Sequence, residues 1–311
     1  MLKPFAAGLI GLALAVAPAA AANVSGWYAG IYGGGSNPGD IAFGLDNITA
    51  VLDGPGVIES PIGFANSGGV DPVLFDFLNQ GLADFPFADL GDAIATLVDG
   101  TLDLRPGVTL GAVVGYGLGN GLRIEADLAG SSFASGDFTI ISGTGQTAGG
   151  AIDGAGLWTW TKTAEASFPP PVPPPAPLED MDFSYRSDVQ FLLVNVLYDI
   201  DTGGAVTPYV GGGAGLARVT GTLTDLCLCG GGTYTQSALV PAGQLAGGLK
   251  VALDDTVSLD LGYRLKLAGD PSLEVFEFIP LGGPAFGGFA ASQSGPIVVQ
   301  TLQAGLTFAL R

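Results

Sequence analysis

Charged side chains stand on one face of three segments of the sequence in which apolar residues alternate with small or polar ones. In one of them Arg123, Glu125 and Asp127 alternate with apolar residues, so all three project from one face of an extended strand. Such a face could line or gate a polar pore. In a narrow enclosure the same charges would pair with one another, because a charge removed from water needs a partner. The full set is Arg123, Glu125, Asp127, Lys250, Asp260, Arg264 and Lys266.

Histidine is missing from the whole chain of 311 residues. Its side chain is the usual proton carrier near neutral pH, so the common arrangements that activate a nucleophile lack their base. An unfamiliar site built from carboxylates stays open, but no catalytic residue can be named. We therefore expect a protein that is not an enzyme and that holds no cofactor.

Two cysteines, Cys227 and Cys229, stand one residue apart in "DLCLCGGG". A Cys-x-Cys pair in a chain without histidine is a weak signal for a metal, and we expect no metal site. In an oxidising compartment the two could form a small strained disulfide, or one could bridge to another chain. The residues leave both alternatives open.

The chain is acidic, with 29 Asp and Glu against 10 Lys and Arg and a formal net charge of −19. This balance argues against nucleic acid as a partner, because phosphate contacts need Lys and Arg. The acidic residues could gather Ca²⁺ and bridge to anionic lipopolysaccharide, but no D-x-D-x-D-G pattern is present. We prefer solvation in a salty habitat as the reason for the composition.

The first residues have the features of a signal peptide. Lys3 supplies a positive start, residues 5–17 are apolar, and residues 19–22 are the small side chains that cleavage requires. We predict cleavage after Ala22, which leaves a signal peptide over residues 1–22 and one domain over residues 23–311. The apolar run is too short for a membrane anchor.

Apolar residues alternate with small or polar ones in eight later segments, and no apolar stretch reaches the length of a transmembrane helix. This pattern predicts an all-β fold, a transmembrane antiparallel up-and-down β-barrel of eight strands. A secreted β-rich protein is the alternative, and hidden strands in the first connection could raise the count to about ten. The segments are 26–35, 108–118, 121–131, 188–200, 207–220, 242–253, 256–267 and 297–310.

The connections between these segments alternate between short and long. Those near residues 120–121, 201–206 and 254–255 are short and contain turn residues. A barrel that enters the membrane from the periplasm predicts short periplasmic turns and long external loops. We therefore predict external loops at about 36–107, 132–187, 221–241 and 268–296.

Two of these loops carry patterns of their own. Seven prolines within residues 168–180 predict an extended polyproline stem. In the first loop, apolar residues at helical spacing predict two short amphipathic helices that pack on the barrel rim. The helices rest on Leu74, Phe77, Leu78 and Leu82, and on Leu90, Ile94, Leu97 and Val98.

Four stretches resemble the small eight-stranded outer-membrane barrels of the opacity-protein and OmpA-like porin family. They are "GWYAGIYGGG", "TPYVGGGAGLARV", "AGGLKVALDDTVSLDLGYRLK" and "QAGLTFAL". The resemblance implies residence in the outer membrane of a Gram-negative envelope, with its lipid and lipopolysaccharide as partners. It also implies that the barrel assembly machinery reads the final strand, although this chain ends in Leu310-Arg311 where the family commonly stops at an aromatic residue. The signal residues would be Gln303, Gly305, Phe308 and Leu310.

Together these features predict a non-enzymatic barrel with a structural or surface-interaction role. The alternative is a narrow porin-like channel for small or hydrophobic solutes, which would require an open lumen. Enzymes on barrels that resemble this family use a histidine for proton transfer, and this chain has none. An external partner cannot be named, because the long loops contain no recognisable motif.

Overall fold

The computed structural model describes residues 25–52, 90–152, 158–168, 184–224, 232–282 and 285–310, and their regular structure is β-strand. Within these ranges no helix is long and apolar enough to cross a membrane. The predicted signal peptide, the helix predicted over residues 74–82, residues 169–180 of the proline-rich stretch and both cysteines lie outside the described residues. The strands are β1 (Ser25–Pro38), β2 (Ile41–Leu52), β3 (Leu90–Leu104), β4 (Gly107–Leu118), β5 (Leu122–Ile152), β6 (Trp158–Phe168), β7 (Ser184–Asp199), β8 (Val206–Thr224), β9 (Thr233–Ala252), β10 (Val257–Ala268), β11 (Leu273–Gly282), β12 (Ala285–Ser294) and β13 (Ile297–Ala309).

Eight of these strands close into a barrel. The order around the wall is β1, β4, β5, β7, β8, β9, β10 and β13, and every neighbouring pair is antiparallel. The wall closes where β13 pairs with β1, from Tyr28 opposite Ala309 to Pro38 opposite Val299. Closure gives each strand two partners, so the backbone hydrogen bonds are satisfied without water. The predicted eight-stranded up-and-down barrel is confirmed.

The outer face of the barrel is apolar, because the sequence alternates with the period of a strand. Leu122, Ile124 and Leu128 of β5 project outward, and the charged residues between them point inside. All eight wall strands expose large apolar side chains in this way, with Leu128 as much as 60% exposed. An apolar belt of this extent faces lipid rather than water, so the barrel is a transmembrane one.

Strand β7 shows why one of the predicted segments had a blurred alternation. Leu192 and Val194 are exposed on the outer face, as the pattern predicts. Phe191, Leu193 and Leu197, at the alternate positions of the strand, point inside and are fully buried. This strand is therefore apolar on both faces because part of the barrel interior is itself apolar.

Three tight connections join strands at one end of the barrel, which we call the short-turn end. Asp254 Oδ1 accepts hydrogen bonds from the backbone nitrogens of Thr256 at 2.7 Å and Val257 at 2.8 Å. Gly119 and Gly121 take φ angles of +77° and +87°, a region that residues with a Cβ avoid. β1 begins and β13 ends at this same end, as an even strand count requires.

At the opposite end, which we call the extended end, the wall continues into a second sheet. Its order is β11, β12, β2, β3, β5 and β6, all antiparallel. β5 is 31 residues long and belongs to both sheets. β2 continues β1, β3 leads into β4, and β12 leads into β13 through short bends. Much of the predicted external loop sequence is therefore strand.

The helix predicted from Leu90, Ile94, Leu97 and Val98 is wrong, because these residues lie in β3. β3 pairs with β2 on one side and β5 on the other. Such long-range pairing outweighs a local helical spacing. The strands of the first connection also do not raise the count in the wall to about ten, because they join the second sheet.

Candidate functional site

The seven charged residues predicted to share a face all point into the barrel and are buried there. Arg264 of β10 reaches two carboxylates of β5, with Nη1 2.6 Å from Asp127 Oδ2 and Nη2 3.3 Å from Glu125 Oε1. Lys266, on the same face of β10, places Nζ 3.5 Å from Asp127 Oδ2. The ion pairs thus join two strands that are not neighbours in the wall, across the interior.

A second arginine extends this network to β7. Arg123 lies 3.5 Å from Glu125 through Nη1, and its Nε lies 2.9 Å from Asp199 Oδ1. Lys250 Nζ lies 4.0 Å from Asp199 Oδ2. With Asp260 included, the buried charges of the described residues are four cations and four carboxylates, so the formal charges cancel. Such balance matters because an uncompensated charge inside a barrel costs several kcal/mol.

Three tyrosines that the sequence did not indicate also belong to the network. Each donates its hydroxyl hydrogen to one carboxylate, so that three of the four acidic groups accept a hydrogen bond from a tyrosine. The bonds are Tyr28 to Glu125 Oε2 at 3.1 Å, Tyr32 to Asp127 Oδ1 at 2.7 Å and Tyr209 to Asp260 Oδ1 at 2.9 Å.

The missed residues carried a partial signal in the sequence. Tyr28 and Tyr32 are four residues apart, so they share a face of β1, and Trp27 and Ile31 occupy the opposite, exposed face. Asp199 is a polar position of the segment 188–200. The sequence did not indicate which strands approach one another across the interior, and that is what makes these residues part of one site.

The tyrosines of β1 fit because glycines face them on the neighbouring strand. Tyr28 pairs with Gly115 and Tyr32 with Gly111 in the β1–β4 register. A Cβ at either glycine would overlap the tyrosine ring. The Tyr32 ring in turn lies 4.7 Å, centre to guanidinium carbon, from Arg264. The glycines therefore make room for rings that help to hold the cations.

Toward the extended end the interior becomes largely apolar, with buried serine and threonine hydroxyls bonded to one another along one side. Phe191 of β7, Val219 of β8 and Val299 of β13 are fully buried there. The boundary between the two layers falls at Lys266, whose Nζ lies 5.2 Å from the centre of the Phe191 ring. The barrel therefore has a charged layer toward the short-turn end and an apolar layer above it.

The base of the second sheet packs onto this apolar layer. Phe43 of β2 meets Tyr185 of β7 edge to face, with ring centres 5.2 Å apart. The Tyr185 hydroxyl donates to Gln293 Oε1 of β12. Leu273 of β11 approaches Gly221 of β8, where a Cβ would lie 3.1 Å from its Cδ1. Strands of the second sheet thus contact the far wall across the mouth of the barrel.

Little space remains between these side chains. A cavity of about 10 Å³ lies beside Glu125, Arg264, Gln303 and Thr307 in the charged layer. That volume is about the minimum for one water molecule. The inward-pointing side chains of the described residues are buried in both the charged and the apolar layer, so this part of the interior is filled.

Three residues of the predicted assembly signal lie on β13, and Leu310 directly follows the strand. Phe308 and Leu310 project outward and are exposed, while Gln303 points inside and is buried. Gly305 stands opposite Tyr32 of β1, where a Cβ would lie 2.8 Å from the tyrosine Cβ. The predicted signal therefore includes residues on the outer face of the wall and residues on its inner face.

No protein-family model and no curated protein matches this sequence. Among solved structures, the chain is similar to Neisserial surface protein A, with 14% identity, a TM-score of 0.35 and coverage of 92% of this chain and 98% of the other. It is also similar to outer membrane protein OprG of Pseudomonas aeruginosa, with 12% identity, a TM-score of 0.36 and coverage of 92% and 97%. A third similar structure is the outer membrane protease OmpT of Escherichia coli, with 9% identity, a TM-score of 0.38 and coverage of 93% of this chain and 98% of the other. Likeness at this level carries no argument about function, and the fold rests on the strand pairings given above.

We expect Gly115→Ala to destabilise the barrel by about 1–3 kcal/mol, because the new methyl group would displace the Tyr28 ring. Gly130→Ala is the matched control, since a Cβ at that wall glycine meets nothing within 4 Å. Denaturant unfolding of both variants from lipid vesicles measures the difference. Equal stabilities of the two variants would contradict the proposed fit of tyrosine on glycine.

We expect Arg264→Leu to lower the free energy of unfolding by about 3–5 kcal/mol, because two buried carboxylates lose their shared partner. Arg218→Leu serves as the control, since this arginine is exposed and bonded only to Ser237 among the described residues. Urea titration of the two folded variants in the same lipid checks the expectation. If the free energy of unfolding falls no more for Arg264→Leu than for Arg218→Leu, the expectation is contradicted.

Proposed function

We propose that the protein is a barrel of the Gram-negative outer membrane with a structural or surface-interaction role and no enzymatic activity. The observation that carries this proposal is the filled interior, in which the charged side chains are committed to one another. A lumen packed in this way has no room for a solute, and it leaves the surface at the extended end as the part available to partners.

The proposed location and orientation follow from the asymmetry of the two ends. Short turns at one end and long elaborated connections at the other are typical of outer-membrane barrels, whose long connections face outward. The signal peptide over residues 1–22, cleaved after Ala22, would deliver the chain to this compartment. The second sheet would then stand outside the cell.

The absence of enzymatic activity is proposed on two grounds. The chain contains no histidine. The carboxylates of the charged layer are occupied by arginine, lysine or tyrosine, so that none is poised toward a substrate. A carboxylate that acts as a general base needs an unoccupied oxygen near a bound substrate.

Conductance in planar bilayers tests the filled lumen directly. We expect no reproducible current steps from the purified chain, because the apolar and charged layers block the axis. A general porin in the same bilayers provides the positive control. Sustained, reproducible steps from this chain would overturn the proposal in favour of the narrow channel.

We further propose that the barrel assembly machinery recognises β13 through Gln303, Gly305, Phe308 and Leu310. We expect the double variant Phe308→Ser with Leu310→Ser to insert several-fold less into the outer membrane. The control variant, Leu261→Ser with Leu267→Ser, also replaces two exposed apolar side chains, but on β10. Heat-modifiable gel migration of membrane fractions measures the folded share. Equal insertion of the two double variants would show that β13 carries no special signal.

A further inference from the structure

The outer face of the barrel changes character near the extended end, on the side formed by β4, β5, β7 and β8. Leu128, Leu192 and Leu216 stand side by side in one row across three strands and are exposed. Two residues closer to the extended end, the corresponding row contains Gln190 opposite Arg218. On β7 and β8 the apolar belt therefore ends between these two rows, whereas Leu110 of β4 continues it into the second row.

A groove of about 590 Å³ lies on the outer face of the wall at this boundary. Val108 and Leu110 form its apolar edge on β4. Asp188 is the one carboxylate among the described residues that line it. Three hydrogen-bonding side chains and one cation also line its outer surface. They are Ser132, Gln190, Arg218 and Thr220.

Two further arginines border the groove on the side of the extended end. Arg186 lies two residues beyond Asp188 on β7 and is paired with Ala134 of β5. The backbone nitrogen of Arg105 donates to the carbonyl of the same Ala134 at 2.9 Å. Both arginines are exposed, and neither forms an ion pair with any residue that the structure describes. Arg105 and Arg186 thus place two cations beside one position of β5.

This concentration of positive charge is unusual for the chain. The whole sequence has 10 Lys and Arg against 29 Asp and Glu, and four of those bases are buried in the charged layer. Three of the remaining six lie at this one groove. Arg218 also donates from Nη2 to Ser237 Oγ at 3.1 Å. Ser237 lies two residues closer to the extended end than Leu239, the residue of β9 that pairs with Arg218. The Arg218 guanidinium therefore points away from the apolar belt, toward the depth at which lipid headgroups lie.

We propose that this groove binds the phosphorylated headgroup of a glycolipid in the outer leaflet, the class to which lipopolysaccharide belongs. The arginines would hold phosphate, which a guanidinium binds through paired hydrogen bonds. Asp188 and Gln190 would bond sugar hydroxyls, and the acyl chains would lie along Leu128, Leu192 and Leu216. The inference rests on the proposed outer-membrane orientation, because that orientation places the extended end in the leaflet that contains such a lipid.

The test uses the full mature chain, folded in detergent micelles and titrated with purified lipopolysaccharide. Native mass spectrometry counts the lipid molecules retained by each chain, and the titration gives the dissociation constant. We expect retention by the unmodified chain and affinity at least about tenfold weaker for Arg186→Gln with Arg218→Gln. Lys162→Gln, a base on β6 outside the groove, is the matched control and should bind like the unmodified chain. Heat-modifiable migration verifies that each variant is folded.

Three lipid probes separate the headgroup from other sources of binding. The unmodified chain should bind enzymatically dephosphorylated lipopolysaccharide with an affinity lowered about as much as that of the double variant for the intact lipid. Inorganic phosphate, at the same concentration as the lipopolysaccharide, should not displace it. Equal affinity of the double variant and the unmodified chain would overturn the inference. Equal affinity for the dephosphorylated lipid, or no retention by the unmodified chain, would do the same.

A separate readout distinguishes this failure from failure of the proposed function. An epitope inserted between β5 and β6 should be accessible to antibody on intact cells, and one inserted at Gly203 should not. An inaccessible epitope at the extended end would overturn the proposed orientation, and with it the assignment of the groove to an outer-leaflet lipid. Surface exposure combined with unchanged binding by the double variant would overturn the lipid site alone.

Discussion

The pairing of β13 with β1 is the contact on which the rest of the structure depends. Lipid supplies no partner for a backbone N–H or C=O, so a sheet within it is stable only when its two edge strands meet. Closure with eight strands then fixes the diameter, and an interior of that width is filled by the side chains of its own wall. The enclosed interior therefore exists only where the first and last wall strands of the chain are paired.

The filled interior combines two solutions to the same packing problem. Near the short-turn end, four arginines and lysines meet four carboxylates, and tyrosines donate hydrogen bonds to three of those carboxylates. Nearer the extended end, apolar residues such as Phe191 fill the space and need no partner. A charged layer specifies its geometry sharply because each member must be satisfied, whereas an apolar layer can pack against the base of another sheet.

The second sheet extends the barrel wall without the constraint that lipid imposes. β2, β3 and β12 continue wall strands through short bends, and β5 passes from one sheet to the other without interruption. Above the apolar belt, water can satisfy an open sheet edge, so the six strands need not close. The same boundary carries the groove with Arg186 and Arg218, where wall, lipid surface and outer solution meet.

The sequence by itself determined the eight wall strands, because alternation with period two shows directly which side chains face lipid and which face inward. It also determined that Arg123, Glu125 and Asp127 share the interior face, since their spacing fixes it. Only the tertiary structure decided that Asp199 and the three tyrosines join them, because barrel closure brings together strands far apart in the chain. It likewise decided that Leu90 to Val98 form a strand rather than a helix: β2 and β5 supply the hydrogen bonds, and local spacing contains no information about such distant partners.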